Sequence, residues 1–388
     1  MKVYLDNGAT TAVDPKVVDE MQPLFTVIYG NPSSVHEKGQ EAKRLVAESR
    51  DIIAKKLNAS YDEIVFTSGG TESDNLAIKG VAFTNKEKGN HIITTKIEHP
   101  AVLNTCKYLE KNGFKITYLG VDKEGFIDLE KLESSITKAT ILVSIIHGNN
   151  EIGTIQDVEV IGNICKKHKV LFHTDAVQSF TKVPINTKKL NVDLLSISAH
   201  KIHGPKGVGV LYVRKGLKIE PLAHGGSHEF GKRAGTENVP GIVGFAKAVK
   251  QSSDSDSKKI AKLKDYFIEQ VQTEIEGVKL NGPTGDERLC NNVNLSFANI
   301  EGEAIGSYLD IEGICTSTGS ACSSHSLEPS HVLLAIHLPH DLANGTLRMT
   351  LSRFTTKEEL DYTIEKLKKY VAKLRKISPL KRVLKKIM

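Results

Sequence analysis

The chain has 388 residues, 39% of them hydrophobic, and a net charge of +6, which is long enough for two domains and ordinary for a globular protein. No run approaches the roughly 18 apolar residues that a membrane span needs, the first residues lack the basic and apolar regions typical of a signal peptide, and basic residues do not alternate with aromatic ones. The five cysteines form no C-x-x-C pair, which argues against disulfides and a zinc site. Together these features predict a cytoplasmic protein with reduced thiols, bound to neither membrane nor nucleic acid.

Short apolar runs alternate with helical patterns through the first two-thirds of the sequence. Asp14-Pro15 predicts a helix start, and apolar residues at three- and four-residue spacing predict helices around 42–53 and 102–109. The predicted strands are 64–66, 92–95, 115–119, 141–146, 170–174, 194–198 and 208–213. This alternation predicts an α/β fold with a mostly parallel sheet covered by helices.

A polar stretch without periodicity, 251–257, predicts a domain boundary. An amphipathic helix over 260–275 then begins a second αβ region that extends to residue 388. The sequence therefore predicts a large domain over 15–252, and a small domain formed by 1–14 and 253–388.

Lys201 follows the predicted strand 194–198 and precedes a glycine-rich turn. Ligands of α/β sheets bind at the carboxyl ends of strands, and a lysine there can form a Schiff base with an aldehyde cofactor. Asp175 ends the preceding strand, where a carboxylate can pair with a protonated ring nitrogen or simply cap a helix. Gln178, three residues later, could hydrogen-bond a phenolic oxygen of the same cofactor.

Residues 67–73, with the sequence TSGGTES, lie between a predicted strand and a predicted helix. Small residues let backbone N–H groups close on a phosphate at a helix N-terminus, and Thr71 adds a hydroxyl. His99 follows another strand and could stack on a pyridine ring or move protons, although a lone histidine is more often structural.

Cys322 lies in a run of small polar residues without a helix or strand period. A thiol in such a run is predicted to be exposed and reactive, whereas Cys106 and Cys165 fall in apolar helical patterns and are predicted to be buried. The segment 316–328 has few apolar anchors, so we expect a mobile loop; an ordered turn of small residues is the alternative.

The order and spacing of these segments resemble the cysteine desulfurases of the NifS/IscS type, in the class V aminotransferase group of fold-type-I enzymes. The resemblance covers nearly the whole chain and includes GNPSS at 30–34, NNEIG at 149–153, RAGT at 233–236 and LEPS at 327–330. It implies a large domain that binds pyridoxal 5'-phosphate (PLP) on a seven-stranded sheet, and a small αβ domain that carries the cysteine segment. Gly8, Gly70 and Thr318 depart from the commonest family pattern, but no functional group is lost.

The resemblance also implies roles for individual residues. Lys201 and His99 would move the Cα proton of L-cysteine, and Cys322 would take its sulfur as a persulfide, leaving L-alanine. Asn150 and Arg348 would hold the substrate carboxylate. The PLP-binding residues would be Gly70, Thr71, His99, Asn150, Asp175, Gln178, Ser198, His200 and Lys201, with Thr236 of the partner subunit in a homodimer.

The resemblance implies that the sulfur then passes to an iron–sulfur scaffold or a tRNA-thiolation acceptor. Two alternatives stay open: a selenocysteine lyase that shares the site, and a non-catalytic scaffold whose Cys322 ligates an iron–sulfur cluster. Comparing the turnover of cysteine with that of selenocysteine would distinguish a desulfurase from a selenocysteine lyase. The presence of Lys201 argues against a non-catalytic scaffold. Apart from transient cluster ligation by Cys322, no metal site is predicted, because the histidines at 224, 228, 331, 337 and 340 lack zinc-site spacing.

Overall fold

The structure is a computed structural model that describes residues 1–318 and 329–378. Within these residues the chain forms twelve strands and thirteen helices. The strands are β1 (Val3–Tyr4), β2 (Ile64–Thr67), β3 (His91–Thr95), β4 (Lys115–Leu119), β5 (Thr140–Ser144), β6 (Leu171–Asp175), β7 (Leu194–Ser198), β8 (Gly209–Val213), β9 (Val278–Leu280), β10 (Asn292–Phe297), β11 (Ile314–Cys315) and β12 (Thr346–Thr350). The helices are α1 (Pro15–Met21), α2 (Pro23–Thr26), α3 (Glu37–Leu57), α4 (Gly70–Thr84), α5 (Pro100–Lys111), α6 (Leu129–Ser135), α7 (Val158–His168), α8 (Val239–Gln251), α9 (Asp254–Glu274), α10 (Gly302–Ile311), α11 (His331–Ala335), α12 (His340–Asn344) and α13 (Lys357–Ile377).

Seven of the described strands form one sheet in the order β2-β8-β7-β6-β5-β3-β4. Strand β8 is antiparallel to both of its neighbours, and the other pairs are parallel. The predicted α/β fold with a mostly parallel seven-stranded sheet is therefore confirmed. Because the parallel strands share one direction, the residues that follow β3, β5, β6 and β7 meet at the same edge of the sheet.

Helices bury both faces of this sheet, which explains why most of its strands are buried at successive positions rather than at alternate ones. Val65 and Ile92 pack with α4 and α5 on one face, while the next residues, Phe66 and Ile93, pack with α3, α7 and α8 on the other. The two cysteines predicted to be structural, Cys106 in α5 and Cys165 in α7, are both buried.

A second, antiparallel sheet in the order β12-β10-β9 lies in the C-terminal part of the chain. Its hydrophobic cluster draws on α9, α10 and α13, and it includes Val3 and Leu5 from the N-terminus. Strand β1 also pairs with β11, so the first residues of the chain pack with the C-terminal region. The predicted domain boundaries, 15–252 for the large domain and 1–14 with 253–388 for the small one, stay a prediction. No helix in the described part of the chain is long and apolar enough to span a membrane.

The polar stretch 251–257, from which a domain boundary before a helix over 260–275 is predicted, is itself mostly helical. Helix α8 ends at Gln251 and α9 already begins at Asp254, so the connection is two residues long. Ser253 caps α9 by accepting a hydrogen bond from the Asp256 amide, and the acidic side chains of the first turn favour a helix N-terminus. This first turn carries no apolar face, and the sequence therefore resembled a linker.

Candidate active site

Two neighbouring parallel strands place the predicted site residues at the carboxyl edge of the large sheet. Asp175 is the last residue of β6, and Ser198 is the last residue of β7. Lys201 follows in a single 3-10 turn over 199–201. Because β6 and β7 pair in parallel, with Asp175 opposite Ser196, the carboxylate and the lysine are brought to the same end of the sheet.

The Lys201 ammonium contacts the N-terminal segment of the chain, at residues 8 and 9. Its Nζ donates to the carbonyl oxygens of Gly8, at 2.5 Å, and Ala9, at 2.8 Å. Burial, with the nearby cations Arg348 and Lys182, lowers the pKa of Lys201 to about 8. A lysine in this range is neutral in an appreciable fraction of molecules near neutral pH, which a nucleophilic or basic amine requires.

Asp175 belongs to a pair of buried carboxyl groups. One of its oxygens accepts from the Val177 amide at 2.9 Å, and burial raises its pKa. Burial and the charge of Asp175 raise the pKa of Asp74 well above its usual range, and one oxygen of Asp74 has no hydrogen-bond partner. A cation placed against Asp175 would relieve this repulsion. The protonated ring nitrogen of a pyridine is such a cation.

A cradle for an anion lies where β2 and β7 end. The turn between β2 and α4 contains Gly69, with a φ of +152°, and residues 68–72 of this turn and of the start of α4 line a cavity of ≈ 410 Å³. Ser198 also lines the cavity, and its hydroxyl is buried without a hydrogen-bond partner. His200 lines it as well, with Nδ1 3.2 Å from the hydroxyl of Thr10. A phosphate would satisfy both the free hydroxyl and the helix N-terminus.

His99 caps helix α5 rather than projecting as an unattached ring. Its Nδ1 accepts from the Ala101 amide at 3.1 Å, so the proton of the neutral ring is assigned to Nε2. Burial, followed by the charges of Lys201 and His331, lowers its pKa to about 4. The ring is therefore neutral at pH 7, which favours stacking and hydrogen-bond donation from Nε2 over a role as a charged acid.

Arg348, in β12, is paired within the protein. Its Nη1 donates to the carbonyl oxygen of Asn150 at 3.1 Å, and its Nη2 contacts the Asp6 carboxylate at 3.0 Å. Its Nε is buried and has no partner. The unpartnered Nε leaves one N–H of the guanidinium for a substrate carboxylate, which would have to compete with Asp6 for the rest.

The N-terminal segment that follows β1 is the part of the site that sequence analysis missed. Gly8 accepts hydrogen bonds from both Lys201 and Gln178, the latter at 2.9 Å, and its own amide donates to Thr350. Asp6 in the same segment holds Arg348. The available signal was a polar stretch, 6–11, without helix or strand period between β1 and α1.

Two predicted site residues are not among those that the structure brings together here. One of them, Cys322, lies outside the described residues, so its position stays a prediction. Ser317, before it, pairs through its backbone with Arg348, and Ser330, after it, donates to the Glu151 carboxylate at 2.5 Å. Thr236 is exposed and does not line the cavity at Ser198 in its own chain. Among the described residues, no group of three His, Cys, Asp or Glu side chains is arranged to hold a metal ion.

Comparisons with known proteins agree with this geometry. Residues 3–363 match the family described as aminotransferase class-V. A protein of Dictyoglomus turgidum named cysteine desulfurase IscS is 55% identical over 383 residues, which cover 98% of this chain and 97% of that protein. A solved NifS-like protein is 42% identical with a TM-score of 0.90, covering 96% of this chain and 100% of its own. A structure described as SspA in complex with cysteine is 39% identical with a TM-score of 0.82, covering 92% and 100%. The chain therefore belongs to the aminotransferase class-V family, and within it to the cysteine desulfurases.

Proposed function

We propose that this protein uses PLP to remove sulfur from L-cysteine, releasing L-alanine and leaving a persulfide on Cys322. The observation that carries the proposal is the Lys201 amine, whose pKa is lowered to about 8, lying at the sheet edge with a buried carboxylate and an anion cradle. The similarity to a protein solved with cysteine supports the substrate.

The residues at this edge fit the three polar parts of PLP. The free Ser198 hydroxyl and the N-terminus of α4, at Gly70 and Thr71, suit its phosphate. Asp175 suits its ring nitrogen, and Lys201 suits its aldehyde. Bound there, PLP would supply an electron sink for the charge that develops when the substrate Cα loses its proton.

The side chains around this position would bind cysteine and move its protons. Arg348 would hold the substrate carboxylate, beginning with its unpartnered Nε, and the Asn150 amide would assist. Neutral Lys201 would take the Cα proton and later return a proton to carbon. The Nε2–H of His99 would donate a hydrogen bond beside the ring.

The sulfur step would involve Cys322. Its thiolate would attack the substrate's Sγ, so that a sulfur–sulfur bond forms while the substrate's Cβ–Sγ bond breaks. The electron pair of the broken bond would remain on the carbon fragment, which gains protons and leaves as alanine. The sulfur, now bound to Cys322, would pass to a thiol of an iron–sulfur scaffold or another acceptor in the cytoplasm.

We also propose a homodimer in which Thr236 of the partner subunit completes the phosphate site. The exposed position of Thr236 in its own chain supports this arrangement. Large apolar side chains that are exposed in the single chain also support it, among them Phe25 at 63%, Tyr29 at 67% and Val35 at 92%. Exposed apolar side chains mark an interaction surface where they form a contiguous patch, and these three lie within eleven residues of one another in the sequence.

The proposal is tested by supplying PLP and L-cysteine to the purified protein and measuring alanine and sulfide in the presence of a thiol reductant. Equal amounts of both products are expected. Lys201→Ala should abolish both products. Lys215→Ala removes an exposed lysine that follows β8, at the end of the strands away from Lys201, and should preserve both products. Normal turnover by Lys201→Ala would contradict the assignment.

A further inference from the structure

Strand β2 is an edge strand, and a buried ion pair takes the place of a further strand beside it. Arg50 Nη1 donates to the Ile64 carbonyl at 2.5 Å, and the Phe66 amide donates to Glu229 Oε2 at 2.8 Å. The two side chains bind each other through two contacts of 2.6 and 2.8 Å, and only 5% and 3% of their surfaces are exposed. The pair thus satisfies an outward-facing carbonyl and amide of the strand that leads directly into the phosphate cradle.

The backbone around Glu229 is held in an unfavourable conformation. Glu229 and Phe230 have φ angles of 48° and 57°, so two consecutive non-glycine residues are left-handed. The rings of Phe66, Phe230 and Tyr61 lie 4.6, 5.1 and 5.3 Å from the Arg50 guanidinium carbon. Strained backbone of this kind persists only where surrounding contacts impose it, and it concentrates at functional sites.

The same segment reaches the other side of the cradle four residues later. Arg233 Nε donates to Glu72 Oε1 at 2.9 Å, and Glu72 Oε2 accepts from the Ser68 amide at 2.7 Å. Residues 229–233 therefore contact the chain just before the cradle, at Phe66, and just after it, at Glu72. The segment 229–233 thus contacts both ends of the cradle, which we define as residues 67–71.

The charges at Glu72 and Arg233 matter for an anion. Glu72 lies in the first turn of α4, and its carboxylate would repel a phosphate at the N-terminus of that helix. Arg233 offsets this charge. Burial raises the pKa of Glu72, but the hydrogen bonds from Arg233 and Ser68 lower it by more, so the net pKa is below its ordinary value. The carboxylate is therefore ionised and needs the charge of Arg233 beside it.

From these contacts we infer that Glu229 and Arg233 are positioning residues that hold the phosphate cradle in its binding conformation. Neither side chain lines the cavity at Ser198, so Glu229 acts through the backbone of β2 and Arg233 acts through the side chain of Glu72. The inference rests on the proposed function only in that the ligand carries a phosphate. Its consequence is that both residues contribute to binding of the phosphate group and not to binding of the pyridine ring.

The test compares two ligands that differ only in the phosphate. Protein freed of PLP is titrated with PLP and, separately, with pyridoxal, and binding is followed by absorbance. Arg233→Gln should raise the Kd for PLP about tenfold, the size expected for losing a charge-assisted hydrogen bond. It should leave the Kd for pyridoxal unchanged. Arg214→Gln is the matched control, because it breaks a similar pair, Arg214–Asp193, at the end of strands β7 and β8 that lies away from the cradle.

Glu229→Gln is a second test variant. It should also raise the Kd for PLP and leave the Kd for pyridoxal unchanged. Its unfolding in urea is measured separately, because the change leaves the buried Arg50 charge without its partner. Arg233→Gln does not depend on this precaution, since its side chain is 27% exposed. In a Glu72→Gln background, Arg233→Gln should have a smaller effect on PLP binding, because the repelling carboxylate is already gone.

Equal weakening of PLP and pyridoxal by Arg233→Gln would overturn the inference, since it would indicate general damage to the site. An unchanged Kd for PLP would overturn it as well. Cysteine turnover does not enter either readout, so a protein that binds PLP but fails to release sulfur would refute the proposed function and leave this test intact.

Discussion

Replacing Lys201 with methionine should inactivate the enzyme and also stabilise the protein freed of PLP. The fall in the Lys201 pKa from its ordinary 10.5 to about 8 means that the fold opposes the charged form of this side chain. By linkage, that opposition costs about 3 kcal/mol of unfolding free energy at pH 7. Methionine has a similar length and no charge, so the variant is free of this cost.

The gain is partly offset by lost hydrogen bonds. Lys201 donates to the carbonyls of Gly8 and Ala9, and each bond contributes about 1 kcal/mol. Lys201→Met should therefore be more stable than the parent protein by about 1 kcal/mol at pH 7. This stability gain at the cost of function is the usual trade-off at an active site.

The pH dependence separates the two contributions. Below pH 8 both states of the parent protein bind the Lys201 proton, and the full cost is present. As pH rises toward 10.5 the unfolded chain also loses this proton, so the cost falls below about 1 kcal/mol at pH 10. The advantage of Lys201→Met should then become a deficit of about 1 kcal/mol, because the two lost hydrogen bonds outweigh the small cost that remains in the parent protein.

Urea unfolding of the parent protein and the variant at pH 7 and pH 10 measures this change of about 2 to 3 kcal/mol. Lys215→Met, at an exposed lysine, is the control and should differ from the parent by less than about 0.5 kcal/mol at both pH values. A stability difference for Lys201→Met that is the same at pH 7 and pH 10 would refute the reasoning.

Three further predictions concern the ligands and the sulfur. Ser198→Ala should raise the Kd for PLP about tenfold in titrations without destabilising the protein freed of PLP, since the buried hydroxyl has no partner there; unchanged PLP affinity would contradict the cradle. Arg348→Lys should raise the KM for cysteine about tenfold in steady-state kinetics, because lysine lacks the planar fork, and an unaltered KM would count against its role. Cys322→Ser should still bind PLP and cysteine but form no persulfide by peptide mass spectrometry; a persulfide on Cys315 would identify another thiol.

The fold could be predicted because its strongest signals are local. A sheet covered on both faces produces short, wholly apolar strands, and the predicted runs agree with β2 to β8 within a few residues. The start of α1 was also readable, because Asp14 accepts from the Lys16 amide and Pro15 occupies the first helical position. The start of α9 was missed because its exposed first turn is entirely polar.

Contacts between distant residues could not be read in the same way. Asp6 and Arg348 are 342 positions apart, and Arg50 and Glu229 are 179 apart, so no spacing rule connects them. One signal was available but unused. Asp74 lies three residues before Ala77 on the buried face of α4, where a carboxylate is unusual and marks a functional site.

The departure at Gly70 also has a structural basis. A Cβ at this position would lie 2.7 Å from a methyl group of Val177, so an alanine would force one of the two to move. Glycine allows Val177 to pack against the cradle. A single sequence without its structure does not show that these two positions are in contact.

The most direct test of the proposed function is a single turnover of the PLP-loaded protein with one equivalent of L-cysteine and no reductant. We expect about one alanine per active site and, in the same sample, one additional sulfur atom on the peptide that contains Cys322. Alanine without sulfur on that peptide, or a persulfide on a different cysteine, would contradict it.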